Sequence, residues 1–478
     1  MTGKNPNYQW FFYITMALLV VWNIYTLRFW PVAWYDEIIL ASITDSFMNG
    51  DGFVLGVENG ENILTYGPVY FLLTSLSCSI GGFTIFSFRL VNLLFSFLTI
   101  VLTYKIMDVF SVRKGIRMAI TLLFLIDILY LGNAHSGRME FVALFFALIP
   151  YYLYYTKKDT FIVISSSVLV ATVAFMTTPR IIIILLPIVL FVFIRLIKTK
   201  KWMLLIPFFA IPAGMYLVWI FCSYGSLSNM LSYYTSSGKS DGPSLWENFV
   251  GGNFNIMKWH IPLLMAVLFT VVDQLRKKKY QDMLLLTLPV ILFYLIVFDT
   301  GMYAALILPF FYLLLAIGLN SVLEYRKGLK YVYVALVGLC FIVNSGYFVL
   351  KSGTVVLFKE TRDERLLNKW FQAQVPEGSR VIGSSSYYYA CHANNCAFKR
   401  MCGNLSYNDL YTGFKPEYMI INSCEDVPKV FETQHKFKAE KIAHYNPRKE
   451  SSNVIPQLRK FVFNITTTYE GDLYRIVY

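Results

Sequence analysis

Apolar runs close to the width of a lipid bilayer recur along this 478-residue chain, and they constrain its fold more than any other feature. A helix needs about 20 mostly apolar residues to cross roughly 30 Å of hydrocarbon. Runs near residues 10–27, 86–107, 117–132, 139–156, 160–176, 180–197, 202–222, 259–275, 282–298, 301–320 and 330–350 predict about eleven such helices. With 56% hydrophobic residues against 15% charged, the chain carries more apolar matter than one soluble core could use. The first run has only Lys4 before it and no small-residue cleavage site after it, so it reads as a retained helix rather than a removed signal peptide.

Basic residues orient the helices, because Lys and Arg concentrate in cytoplasmic loops. With the N-terminus inside, every second loop is basic: Lys105, Arg113, Lys114 and Arg117; Lys157 and Lys158; Arg195, Lys198, Lys200 and Lys201; Arg276 to Lys279; Arg326, Lys327 and Lys330. The further apolar stretch "YGPVYFLLTSLSCSI" from Tyr66 would invert this order if it crossed, so it is expected to lie along the outer surface as an interfacial or re-entrant helix. Eleven crossings then put the C-terminus outside. The net charge of +13 matches a cytoplasmic face bordering anionic headgroups. No nucleic-acid-binding signature accompanies it, so no nucleic acid is expected as a partner.

The predicted fold is therefore mainly α and polytopic: about 11 transmembrane helices over residues 1–350, interfacial helices in the first outer loop, and a small extracytoplasmic α/β domain over 351–478. In that domain "RLLNKWFQAQV" has a helical period, and "RVIGSS", "KPEYMIINS" and "GDLYRIVY" read as strands. Cys391, Cys396, Cys402 and Cys424 cluster there. An oxidising compartment favours disulfides among them over a Cys/His metal site with His392, whose spacing fits no common zinc pattern. The sequons at Asn404 and Asn464 would face outward. Cys78, Cys222 and Cys340 lie in apolar stretches and read as small hydrophobes.

Chemistry is suggested by "PVAWYDEIILASITDSFMNG" from Pro31. Tyr35, Ile39, Ile43 and Phe47 recur every four positions before Asn49-Gly50, which predicts an amphipathic helix over 34–48 lying at the outer interface. Asp36 and Glu37 fall in its first turn, where the dipole favours ionised carboxylates. As helix caps they would be ordinary. As an interfacial acid pair they supply a candidate general base.

The order of features around that pair resembles the GT-C superfamily of integral-membrane glycosyltransferases, in particular the branch of the protein O-mannosyltransferases and the lipid A aminoarabinose transferase. An outer Asp-Glu helix is followed by a Tyr-Gly-Pro helix, an Arg near the start of a span ("FSFRLVNLLFS"), a basic inner loop and "HSGRME" between spans. The resemblance covers roughly residues 1–200. It implies transfer of a sugar from a polyprenyl-phosphate donor to a hydroxyl on a lipid, glycan or protein acceptor, with Asp36 as base and Glu37 beside it. Arg138 and Glu140 of "GRME" stand at the family's Arg-x-Asp pattern, and Arg89 at its Arg before the second span. A departing phosphate needs cations aimed at it, for which Arg180, Lys258 and His260 are further substrate-binding candidates.

One departure concerns the second interfacial helix. Thr65-Tyr66 stands where the aminoarabinose branch often has Glu-Lys, so Tyr66 occupies the substrate-contacting position and another cation must take the place of that Lys. The resemblance requires no cofactor, although a divalent metal at Asp36 and Glu37 is allowed, and no nucleotide-binding motif is visible. Asp127 inside "LFLIDILYL" is expected to meet a structural partner. Residues 222–260 form a long loop rich in Gly, Ser and aromatics, with Trp246 and Trp259 able to stack on sugar or anchor at the interface. A multi-pass protein of a bacterial inner membrane, in contact with membrane lipids, fits all of this. A lipid-linked sugar transporter or flippase is the alternative, although no internal repeat supports it; a non-catalytic relative that binds envelope polymer is the third reading.

Overall fold

The computed structural model describes residues 7–57, 67–224, 226–229, 260–296, 303–323, 327–401, 413–422, 438–447 and 468–477. Tyr66, Lys258, Trp246, Trp259, Cys402, Cys424 and both sequons lie outside the described residues.

Helix occupies most of each of the eleven apolar runs. The N-terminal part holds α1 (Asn7–Thr26), α2 (Tyr35–Met48), α3 (Val69–Gly81) and α4 (Ile85–Val109). Next come α5 (Lys114–Leu125), α6 (Ile128–Ala134), α7 (Glu140–Thr156), α8 (Phe161–Phe175), α9 (Ile182–Lys198) and α10 (Leu205–Tyr224). After the long loop follow α11 (Ile261–Arg276), α12 (Tyr280–Ile296), α13 (Leu308–Val322) and α14 (Lys327–Phe358). Among the described residues four helical segments are long and apolar enough to cross a membrane: Ile85–Val109, Pro179–Lys198, Trp202–Phe221 and the run from Lys330. The α5–α6 pair, bent by 58°, makes a fifth if it counts as one span. Helices such as α7, α8 and α13 are shorter, so helix length does not fix a count of eleven crossings. The Tyr66 stretch becomes α3, a 13-residue helix too short to cross.

The bend between α5 and α6 follows from Asp127. Its Oδ1 accepts from the N–H groups of Leu129 (2.8 Å) and Tyr130 (2.9 Å), and Asn344 Oδ1 takes the N–H of Ile128 (3.1 Å). A helix start inside a bilayer needs such side-chain acceptors, since no water is there to replace them. The second oxygen, Oδ2, receives Tyr312 Oη (2.6 Å) and His260 Nε2 (2.8 Å), all three groups being buried. The expected structural pairing of Asp127 is thus made, and His260 is its partner.

The helix predicted to end near residue 350 continues to Phe358, and the C-terminal domain begins beyond it with α15 (Glu364–Gln374). Five strands follow: β1 (Arg380–Gly383), β2 (Ala397–Arg400), β3 (Tyr418–Asn422), β4 (Lys438–Tyr445) and β5 (Gly471–Val477). They form one sheet in the order β2-β1-β3-β5-β4, with β1 parallel to β2 and β3, and β5 antiparallel to β3 and β4. The sequence reading located β1, β3 and β5; it did not locate β2, β4 or the short α16 (Tyr388–Ala393) joining β1 to β2. Cys391 and Cys396, at the end of that connection, are buried free thiols and do not pair with each other.

One face of this sheet carries a small cluster of its own, Ile382, Met419, Ile421 and Ile476, and the other face shares its core with the helices. Ile38, Ala41 and Ile43 of α2 and Phe71 of α3 share one buried cluster with Phe371 of α15, Tyr389 of α16 and Leu473 of β5. The interfacial helices are therefore sandwiched between the helical bundle and the sheet domain. That sandwich holds the site.

Candidate active site

The first turn of α2 presents two adjacent carboxylates, and they meet different fates. The N-cap is Trp34, whose side chain makes no cap hydrogen bond, and both acids turn to arginines on other elements. Glu37 is fully buried, its Oε1 2.5 Å from Arg89 Nε and its Oε2 2.7 Å from Nη2. The N–H of Gly137 donates to Oε1 at 3.1 Å. Arg89 Nη1 donates to the carbonyls of Leu27 (3.1 Å) and Pro31 (2.7 Å). One guanidinium therefore ties together the end of α1, the start of α2 and the body of α4, in the bidentate geometry that makes arginine–carboxylate pairs strong.

The loop between α6 and α7 is drawn onto the same face of α4. Asn92, one turn beyond Arg89, donates to the carbonyls of Asn133 (2.8 Å) and Ser136 (3.0 Å); residues three apart on a helix share a face. Gly137 fits there because a Cβ would stand 2.4 Å from the Phe88 ring and 2.7 Å from Glu37 Oε1. The next residue, Arg138, then reaches Asp36. Its Nη1 pairs with Asp36 Oδ2, while Nε and Nη2 bind Glu140 at 3.1 and 2.7 Å. Arg138 and Glu140 are buried, whereas the Asp36 side chain is 35% exposed. Asp36 Oδ1 has no protein partner among the described residues.

Aromatic rings wall this ion pair. The Arg138 guanidinium lies 5.5 Å from the Trp34 ring and 4.9 Å from the Tyr303 ring. Arg180, exposed on the turn before α9, lies 4.2 Å from the same Tyr303 ring. Two guanidiniums thus share one aromatic ring on the side of Asp36. Near Arg180 an apolar cavity of about 340 Å³ opens between α8, α9 and α10, lined by Thr172, Phe175, Ile182, Leu185, Pro212 and Tyr216 among others. Gly67, at the start of the second interfacial helix, presses on this corner: a Cβ there would overlap the Met176 carbonyl oxygen at 1.8 Å.

No family model matches this chain, and no curated protein sequence matches it. Solved structures do. ArnT from Cupriavidus metallidurans bound to undecaprenyl phosphate superposes with a TM-score of 0.60 at 11% identity, over 96% of this chain and 97% of that one. Its apo state gives 0.61, with 98% of each chain covered at 11% identity. The oligosaccharyltransferase of Archaeoglobus fulgidus, tethered to an acceptor peptide, gives 0.53 at 11% identity over 96% of this chain and 74% of that one.

This chain shares its fold with these ArnT and oligosaccharyltransferase structures. Within that fold the structure gathers Asp36, Glu37, Arg89, Arg138, Glu140 and Arg180 about the first turn of α2. It does not bring His260 there as a free ligand: Nε2 is held by Asp127 in the buried bend, and Nδ1 has no partner among the described residues. Tyr66 and Lys258 lie outside the described residues. Tyr303 and Trp34 were not foreseen; Trp34 immediately precedes the acid pair, but Tyr303 lies in no motif and only the fold places it here. A second unforeseen group sits beneath the site. His135 Nδ1 lies 2.9 Å from Leu131 O, while Nε2 faces Lys351 Nζ (2.9 Å), Thr26 Oγ1 (3.1 Å) and Asn23 O (3.1 Å), all in buried surroundings. Across the junction, burial pushes the Glu364 carboxyl up to about 7, with the Ile85 N–H and Arg89 pulling the other way. Among the described residues no group of three or more His, Cys, Asp or Glu could hold a metal, and both oxygens of Glu37 are taken by Arg89.

Proposed function

We propose that this chain is a membrane glycosyltransferase moving a sugar from a polyprenyl-phosphate donor to a hydroxyl acceptor at the extracytoplasmic surface, with Asp36 as general base. One observation carries the reading: of two adjacent carboxylates, Glu37 is locked in a buried ion pair, while the Asp36 side chain is partly exposed and is held by Arg138. In the reaction Asp36 Oδ1 accepts the proton of the acceptor hydroxyl, the acceptor oxygen bonds to the anomeric carbon, and the bond from that carbon to the phosphate oxygen breaks. The electron pair leaves with the lipid phosphate. Arg180 and Arg138, grouped about Tyr303, are the cations near that departing charge. Glu37 and Arg89 orient the turn that carries Asp36.

A lipid donor is supported by the apolar cavity that begins two residues beyond Arg180, where hydrocarbon could follow a headgroup held at the arginine. Undecaprenyl phosphate bound to the similar ArnT supports the same donor class. The reading needs no metal, since guanidinium groups provide the positive charge. Purified protein in vesicles, given a labelled polyprenyl-phosphate sugar and a mixture of envelope acceptors, should transfer the label. Asp36→Asn should fold normally and lower the rate by about 100- to 10,000-fold, the usual contribution of a general base. Near-normal turnover in that variant removes the base assignment, and label that only changes leaflet supports a flippase instead.

A further inference from the structure

We propose that the C-terminal sheet domain is a clamp on the helix carrying Asp36, with Tyr388, His392 and Arg400 as positioning residues that fix the orientation of that carboxylate. The inference rests on Asp36 being the base.

The domain grips α2 at both ends. At the C-terminal end, Asp45 Oδ1 meets His392 Nε2 at 3.0 Å, and Asp45 Oδ2 accepts from Tyr388 Oη at 3.2 Å. Tyr388 and His392 are four residues apart on α16 and so present one face. The His392 ring also packs at a tilt against Phe83, with centroids 4.3 Å apart, so it is held from the loop before α4 as well. Asn49 is the other group on this carboxylate, its Nδ2 3.3 Å from Oδ1. At the N-terminal end, the Arg400 guanidinium lies 3.8 Å from the centre of the Tyr35 ring, the residue immediately before Asp36. Strand β2 is anchored there by two further bonds to the segment after α2: Arg400 N–H to Val57 O (2.8 Å) and Lys399 Nζ to Gly56 O (2.8 Å).

Tyr35 and Asp45 are ten residues apart in α2, which at about 1.5 Å per residue separates the two grips by roughly 15 Å. A helix held at two such points, with Ile38, Ala41 and Ile43 packed into the shared core between them, cannot roll or slide without breaking one grip. Rolling is the motion that would carry Asp36 away from Arg138. A misplacement of about 1 Å at a reacting group can lower a rate about 100-fold, so contacts more than two helical turns from Asp36 bear on catalysis through geometry alone.

The test is Asp45→Ala in the full-length protein, read as kcat and donor KM per folded molecule and, independently of turnover, as hydrogen–deuterium exchange of the Tyr35–Met48 amides. The clamp predicts kcat down by about 10- to 100-fold, an unchanged donor KM, and faster exchange at the first turn of α2. Asp45→Asn, which still offers Oδ1 to His392 and a polar group to Tyr388, should restore most of the loss. Tyr388→Phe, a milder change, should give a smaller fall in the same direction. Unchanged kcat per folded molecule overturns the proposal, as does a raised donor KM at constant kcat. If the wild-type protein transfers no sugar yet Asp45→Ala still loosens α2, the clamp stands and the glycosyltransferase reading falls.

Discussion

Replacing Glu37 with Gln leaves the Arg89 guanidinium buried with no counter-charge. The structure offers it little else: its remaining acceptors are the carbonyls of Leu27 and Pro31, and there is no exposure through which water could reach it. The Gln amide would keep one acceptor for Nε but turn an NH2 toward Nη2, where the carboxylate now accepts at 2.7 Å. Breaking a buried pair by removing one partner typically destabilises by about 3–5 kcal/mol, and the closed geometry here places Glu37→Gln in that range. Arg89→Lys keeps the charge but lacks the planar fork that serves Glu37 and two carbonyls at once, so its loss should be smaller. Unfolding free energies from denaturant titration in one detergent would rank the variants, with transfer assayed on the folded fraction. A loss below about 1 kcal/mol for Glu37→Gln, the value of an exposed surface pair, would refute the view that this pair fixes the first turn of α2.

Three further outcomes follow from the geometry. Arg138→Ala should raise the donor KM by about 10- to 100-fold, the equivalent of one or two charged hydrogen bonds, and more than Arg180→Ala does; an unchanged KM would assign Arg138 to holding Asp36 and Glu140 alone. Glu364, its carboxyl pushed up to about 7 by burial, holds its proton more tightly when folded than when unfolded. Its contribution to stability is therefore present below its unfolded value near 4.5 and is lost as pH rises toward 7, which a pH series of thermal unfolding would show as a slope that Glu364→Gln removes. Asn344→Ala should loosen the α5–α6 bend by about 1–3 kcal/mol, because the Ile128 N–H would lose its acceptor in an apolar setting; an unaltered unfolding midpoint would mean that another group takes its place.

Much of the frame was legible because its signals are local. Apolar length located the helices, four-residue spacing located α2 to within one residue of Tyr35–Met48, and the Asp-Glu pair and the "HSGRME" loop are segments that the fold brings into contact. The division of labour within the pair was not legible. Asp36 and Glu37 differ in exposure only because Arg89 and Gly137 approach from one side and Arg138 from the other, and that depends on how α4 and the α6–α7 loop pack. Tyr303 was missed for the same reason: a tyrosine at the edge of an apolar run is ordinary until a distant turn carries Arg180 above it. His260 shows the opposite case. Its neighbourhood in the sequence suggested a ligand, but Asp127, 133 residues earlier, takes its imidazole inside the bundle.

The continuity of the buried cluster from α2 into β5 has a consequence for how the protein comes into being. Leu473 and Tyr469 belong to the same packing unit as Ile38 and Ile43, although more than 400 residues separate them along the chain. During synthesis the membrane helices can insert one after another, yet the cluster around α2 stays incomplete until β5 has been made and folded back. A chain lacking β5 would therefore hold α2 with less packing against it than the full protein provides.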